Sequence, residues 1–331
     1  MYFTNKKILV TGGAGFVGSN LVDKLVESGA IVTVLDDLFT GDKKNIMAIH
    51  DIQFVEGSVT DYDTVVRLIK EVDLIFHLAV RNIIVSTVSP LLDFQVNTQG
   101  TFNVLLAAKK CGIERIVYTS SASVYGNSRY LPINEDDHLS TLNPYAASKL
   151  AGENYCFAFY ESYNVPVVVL RYSNVYGINQ SPNNPYCGVV SKFFDRLIND
   201  EAPQIHGDGE QTRDFTFVDD VIEATILAAQ NPKAEGEVFN VGTGKETSIN
   251  ELVNLMAKLT NNSIPPGYID KRDIDNIRRR VLNIEKIRRT LRWVPSNTLS
   301  KGLEKTYYWI CNTNHKKKHR RMTLKMQSVA T

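Results

Sequence analysis

Four glycines fall within eight residues at 11–18, TGGAGFVG, directly behind the apolar run ILV and directly before a segment of helical period. A strand that turns at once into a helix, through a loop almost without side chains, is the joint of a βα unit that lets other groups approach the backbone closely. Around this joint, strand-length β-branched runs recur: KKILVTG, AIVTVLD, IQFVEG, DLIFHLA, RIVYTSS and VPVVVLRYSN. Helix-period segments separate them, as at 16–28, where Phe16, Leu21, Leu25 and Val26 share a face before Gly29. Alternating strands and helices imply an α/β fold, a doubly wound parallel (Rossmann) sheet with both faces covered.

A chain of 331 residues suggests about two domains. The strand–helix rhythm defines a Rossmann domain over 1–175, to which a later segment, about 213–243, returns. It breaks at SPNNPYCG, and 176–310 reads as a smaller irregular region with helices at 188–199 and 219–230, expected to bind substrate at the carboxyl edge of the sheet. Residues 315–331 carry six Lys/Arg and no acid, which leaves 31 basic against 36 acidic residues, a net of −5, on 1–314. The body is thus no nucleic-acid binder by charge, and 311–331 reads as a basic, disordered tail. Cys111, Cys156, Cys187 and Cys311 form no C-x-x-C pair, which argues against zinc and disulfide frameworks and for a reducing cytoplasm. No apolar stretch is long enough for a membrane span.

Gly12, Gly15 and Gly18 have the spacing that seats a pyrophosphate at a helix N-terminus. Eighteen residues past Gly18 stand Asp36 and Asp37, carboxylates placed to accept hydrogen bonds from an adenosine ribose and to repel a 2′-phosphate, so NAD is expected over NADP. Asn143-Pro144 starts a helix on which Tyr145 and Lys149 lie four apart on one face. A nearby cation favours phenolate, which is expected to lower the Tyr145 pKa from about 10 towards neutrality and fit it for general acid/base work. Ser121, in TSSASVYG at the end of a preceding strand, offers a hydroxyl to share the proton.

Together these motifs resemble the extended short-chain dehydrogenase/reductases, specifically the NAD-dependent nucleotide-sugar epimerases and dehydratases around UDP-glucose 4-epimerase. The resemblance runs over about 1–310, through TGGAGFVG, DDLFTG, HLA, SSASVYG, YAASK, LRYSNVYG, GDGEQTRDFTFVDDV and FNVGTG. It implies that Ser121, Tyr145 and Lys149 are catalytic. It also implies that a tightly bound NAD is held by Gly12, Gly15, Phe16, Val17, Asp36, Asp37, Ser58, Val59, Leu78, Ala79, Asn97, Thr119, Tyr172 and the Tyr145/Lys149 pair. The nucleotide-diphosphate sugar, a UDP-sugar first, would meet Ser121, Ser123, Tyr145, Asn174, Val190, Gln204, His206, Arg213 and Arg272. Arg272 forms an R-x-x-D pattern with Asp275. The resemblance further implies a homodimer through helices including 96–111 and 144–163.

The 4,6-dehydratases of this family place an Asp-Glu pair immediately after the hydroxyl residue, and the uronate decarboxylases a glutamate in the second place. This chain has Ala122 and Ser123 there. Epimerisation at C4 through a transient 4-keto sugar needs only one acid/base and a reversible hydride acceptor. A nucleotide-sugar oxidoreductase and a dinucleotide-sensing protein are the alternatives; the intact Ser121, Tyr145, Lys149 set speaks against a sensor. Ser58 replaces a frequent Asp near the adenine, and RNIIVSTVSP at 81–90, shorter and more apolar than usual, is expected to border the sugar. Arg280 is open to three readings: attraction of an acidic sugar, exclusion of an N-acetyl group, or a solvent-facing cation. His77 reads as packing, while Cys187 and Lys192 would matter only for 3- or 5-epimerisation. Truncation after residue 314 is expected to leave turnover unchanged; a large loss of activity in the truncated protein would contradict a passive tail.

Overall fold

The computed structural model describes residues 2–182, 184, 187–272 and 274–328, with the side chains of 314–328 outside the description. Asn183, Pro185 and Tyr186 of SPNNPYCG and residues 329–331 of the tail therefore lie outside the described residues. Seven strands, β1 (Lys7–Thr11), β2 (Ile31–Asp36), β3 (Ile52–Glu56), β4 (Leu74–His77), β5 (Arg115–Ser121), β6 (Val167–Tyr172) and β7 (Val238–Val241), form one sheet. Its order is β7-β6-β5-β4-β1-β2-β3, with all neighbours parallel. The order reverses between β1 and β4, so the crossovers leave a crevice at the carboxyl ends of these two strands.

Strand periodicity divides the core. Val10, Phe76, Val117, Val168 and Leu170 point to one face, against Leu21, Leu25 and Val221 of helices Phe16–Glu27 and Val218–Gln230. Leu9, Ile75, Ile116, Val167 and Val169 point to the other, against Val65, Val104 and Phe159 of helices Tyr62–Ile69, Gly100–Cys111 and Pro144–Tyr163. Each such side chain contributes about 1.5–3 kcal/mol by leaving water, which explains why the strands read as continuous apolar runs. Beyond β6 the described residues form three two-stranded pieces: Asn174–Tyr176 with Phe215–Phe217, Thr212–Arg213 with Thr247–Ser248, and Gln204–His206 with Gly267–Ile269. Helix Val189–Ile198 packs beside them. The last helix is Leu299–Ser328, so the backbone of the basic segment continues as helix to Ser328 where the sequence suggested a disordered end. Among the described residues no helix is long and apolar enough to cross a membrane.

Helix Pro144–Tyr163 begins as its sequence dictates: the Asn143 side chain accepts from Ala146 N at 2.9 Å and Pro144 occupies the first turn. It is pinned to the sheet by Glu153, whose carboxylate meets the Arg171 guanidinium of β6 at 2.7 Å, both side chains being almost wholly buried. Arg171 also donates to the Tyr125 hydroxyl and to Glu135 O, each at 2.8 Å, and Tyr125 donates to Asn240 on β7 at 2.7 Å. Removing one partner strands a charge in the core, at a cost of about 3–5 kcal/mol. Glu153→Gln is expected to lower stability by about 3 kcal/mol, seen as a fall in the urea midpoint at constant slope; an unchanged midpoint would show that the pair does not anchor this helix.

Candidate active site

Backbone closeness forms the floor of the crevice. Gly12 has φ +72°, donates its N–H to Leu35 O at 2.8 Å, and leaves so little room that a Cβ would stand 2.8 Å from Ala79 N. A Cβ on Gly18 would lie 2.1 Å from Gly12 O, so helix Phe16–Glu27 can close onto the loop only with glycine there. Gly15 caps that helix with no side-chain hydrogen bond, and its first turn holds no acid. Its N–H groups and positive dipole end therefore face the crevice available to an anion. A cleft of about 1020 Å³ opens above, and of the residues expected at the cofactor it is lined by Gly12, Gly15, Phe16, Val17, Asp36, Asp37, Ser58, Val59, Leu78, Ala79, Thr119, Tyr145, Lys149 and Tyr172. Size, glycine cradle and helix end all fit a dinucleotide.

The acidic pair at the end of β2 is not one uniform charge. Asp36 Oδ2 accepts from Ala14 N at 2.9 Å and its Oδ1 from Leu38 N at 2.8 Å, while burial raises its pKa. Asp37 is instead held by Arg81, Nη2 to Oδ2 at 2.5 Å. Arg81 thus stands at the β2 side of the cleft, whereas its segment was expected to border the sugar. Asn97 is also placed differently. Its Oδ1 accepts from Arg81 N at 2.6 Å, and its Nδ2 donates to Arg81 O at 2.9 Å and Asp93 at 2.6 Å. It braces the wall from behind, because a buried amide must spend all its groups on partners.

Ser121, Tyr145, Lys149 and Asn174 line the same cleft. The Ser121 hydroxyl donates to Ser123 Oγ at 3.2 Å and accepts from Ser123 N at 3.2 Å. Lys149 is buried, donates to Thr119 O at 2.6 Å and lies 5.0 Å from the Tyr118 ring centroid. Loss of water lowers its pKa to about 8, against the pull of Asp93 and Glu153. The Tyr145 phenol departs from expectation: burial raises its pKa, the nearby Ser121 hydroxyl opposes this, and Asp93 adds to the rise. The i,i+4 spacing puts Lys149 on the right face, but its ammonium is committed to the strand carbonyl. His77, buried, is bonded to Thr11 Oγ1 at 2.7 Å and Thr101 Oγ1 at 2.9 Å, and burial holds its pKa at about 3, a neutral packing residue.

The remaining expected substrate residues are not gathered in this cleft. Val190 is core, packed in the apolar cluster around Phe193 and Phe217. Gln204 and His206 lie on their short strand, His206 Nδ1 3.0 Å from Asp270 O. Arg213 is buried, donating to Ile277 O at 2.8 Å and facing Asp275 at 3.7 Å; desolvation lowers its pKa to about 10, and Arg280 and Arg272 act in the same direction. Arg280 does not face solvent: its side chain is 6% exposed and pairs with the same Asp275 at 3.3 Å. Arg272 is exposed. The sequence reading missed Arg81, Asp93 beneath Asn97 and Ser148, and Trp309 and Thr313 of the last helix, which reach the cleft wall. No local pattern marks them, although Asn82, the N-cap of helix Ile83–Val88, signals the turn that presents Arg81.

Residues 8–242 match the NAD dependent epimerase/dehydratase family. The chain is 37% identical over 312 residues to a UDP-glucose 4-epimerase of Mycolicibacterium smegmatis, covering 92% of this chain and 99% of that protein. A Thermotoga maritima UDP-glucose 4-epimerase solved with UDP-glucose superposes with a TM-score of 0.89 at 35% identity, covering 93% and 99% of the two chains. A Bacillus cereus UDP-glucuronic acid 4-epimerase solved with UDP-glucuronic acid and NAD gives a TM-score of 0.86 at 30% identity, with 93% and 99% covered. With a glycine cradle, an acidic β2 end and a Ser-Tyr-Lys set around one cleft, the chain belongs to the NAD-dependent epimerase/dehydratase family.

Proposed function

We propose that this chain is an NAD-dependent nucleotide-sugar 4-epimerase acting on a UDP-hexose, with Ser121, Tyr145 and Lys149 as its catalytic residues. One observation carries the reading. Ser121, Tyr145 and Lys149 line the cleft that the glycine loop floors, with no carboxylate in the two positions after Ser121. One proton-transfer group without a separate acid and base suits a reversible oxidation at C4 and does not suit elimination of water. The UDP-sugar 4-epimerases to which the chain is similar support it.

Tyr145 takes the proton of the sugar 4-hydroxyl and returns it after the ketone has turned its other face. Ser121 shares that proton, which offsets part of the cost of a buried phenolate. Lys149, held on Thr119 O, keeps a positive charge in the wall. NAD, when bound, would supply the reversible hydride acceptor. Asn174, Arg213 and Arg272 are proposed to hold the diphosphate, Gln204 and His206 the base, and Ser123 the sugar; guanidiniums suit phosphate because they donate paired hydrogen bonds. We further infer a cytoplasmic homodimer. Four free cysteines suit a reducing compartment, and the exposed Val88, Leu91, Phe94, Tyr155 and Tyr163 give the flank of the catalytic helix an apolar surface.

Tyr145→Phe is expected to lose more than about 100-fold in turnover, the lower range for removing a general base, while binding UDP-sugar normally by calorimetry. Near-normal turnover would sink the mechanism. Lys149 allows a second test with the sign worked out. Its folded pKa of about 8 lies below the ordinary 10.5, so the buried cation destabilises the fold by about 3 kcal/mol below pH 8, and that penalty fades as pH rises towards 10.5. Allowing about 1 kcal/mol for the lost Thr119 bond, Lys149→Met should be inactive yet about 2 kcal/mol more stable at pH 6, with the gain shrinking in alkali. Denaturant melts across pH check this, and a variant less stable than its parent at pH 6 would refute the assigned burial cost.

A further inference from the structure

Arg81 and Asp37 stand on opposite sides of the glycine loop and are joined above it. β1 lies between β2 and β4, which places β2 and β4 about 10 Å apart. Gly12, just past β1, bonds to Leu35 on one side and lies against Ala79 on the other. Two residues beyond each of these contacts the flanking loops meet again. Arg81 Nη2 reaches Asp37 Oδ2 at 2.5 Å and Nη1 reaches Oδ1 at 3.4 Å, a two-pronged pair crossing the end of β1.

Four further observations show that the bridge is built rather than incidental. The Arg81 side chain is 8% exposed, although it comes from a loop at the mouth of a cleft. Its guanidinium carbon lies 4.1 Å from the Phe39 ring centroid, and Asn97 holds its backbone at both N and O. Its Nε is buried and, among the described residues, has no hydrogen-bond partner. A buried donor without a partner costs stability unless something in the cleft accepts from it. Arg81, Asp37 and Phe39 all line the cleft together with Gly12, Ser58 and Ala79.

We propose that Arg81 and Asp37 form an ionic clasp over the adenosine half of the cleft, which retains the dinucleotide from one turnover to the next. Retention suits an enzyme that regenerates its own oxidised cofactor at every cycle and gains nothing from releasing it. Arg81 is thereby a cofactor-retaining residue, and Asp37 acts through it as well as through its own carboxylate. The inference rests on the dinucleotide reading of the cleft.

The test is the rate of cofactor release. Protein loaded with NADH is mixed with excess NAD⁺, and the loss of bound NADH fluorescence is followed at rising salt. Arg81→Gln should release NADH about tenfold faster than the parent, as for the loss of a two-pronged charged pair, and should co-purify with less NAD. Release from the parent should speed up with salt more steeply than release from the variant, because salt competes for the two charges whenever the clasp opens, a signature that a packing role would not produce. UDP affinity, measured by calorimetry, reports whether the variant is folded. If Arg81→Gln fails that control, Asp37→Asn opens the same clasp from the other side and should show the same shallower salt dependence. Release within twofold of the parent, or slower, overturns the clasp while leaving the epimerase reading intact; a parent that binds no dinucleotide overturns both.

Discussion

The buried ion pair between Glu153 and Arg171 is the constraint on which the site depends. It fixes the helix carrying Tyr145 and Lys149 to the strand next to the one that ends in Ser121, so three side chains from two elements meet in one place. The contact is close along its length. Tyr118 of β5 donates to Lys149 O at 3.3 Å, and a Cβ on Gly152 would lie 2.2 Å from the Tyr118 hydroxyl. A glycine at 152 thus lets a tyrosine lie against the backbone of the helix that carries Tyr145 and Lys149. An ion pair this deeply buried adds little net stability over an apolar pair. What it provides is position, because neither charge has another place to go.

The cleft works against the stability of the fold in several places at once. Lys149 is a buried ammonium in its wall, and the Arg81 Nε is buried without a hydrogen-bond partner among the described residues. The helix after the glycine loop begins without a side-chain cap. Each is a cost that a chain selected only for stability would avoid, and each becomes favourable with an anion or a reacting hydroxyl beside it. The buried His77, neutral and fully bonded between two threonines, shows the opposite outcome for a polar group given partners within the protein.

Whatever rests on local periodicity is legible in the sequence. The six apolar runs are the first six strands of the sheet, the helices at 16–28, 188–199 and 219–230 form within two residues of those bounds, and Asn143-Pro144 caps as its residues require. Most residues expected at the cofactor also line one cleft, because motif and strand end coincide in a parallel sheet. What escapes is set by contacts distant in sequence. Asn97 is used up by the Arg81 backbone, Val190 is core, and Arg280 is buried through Asp275. The i,i+4 spacing of Tyr145 and Lys149 correctly predicts a shared face but not the electrostatics, since Thr119 O claims the ammonium and burial pushes the phenol up. Arg81 itself carries no signature beyond the Asn82 cap that follows it, because its meaning arises only when β2 and β4 flank β1.

The central claim is that oxidation and reduction at C4 occur within one undivided cycle. Its most direct test is NMR of UDP-glucose, UDP-N-acetylglucosamine and UDP-glucuronate incubated with the enzyme in D2O, with no added reductant. The account predicts that one of them yields its C4 epimer with the C4 proton retained and no net NADH formed. A sugar that changes only while stoichiometric NAD⁺ or NADH is consumed, or a C4 epimer carrying solvent deuterium at C4, would contradict it.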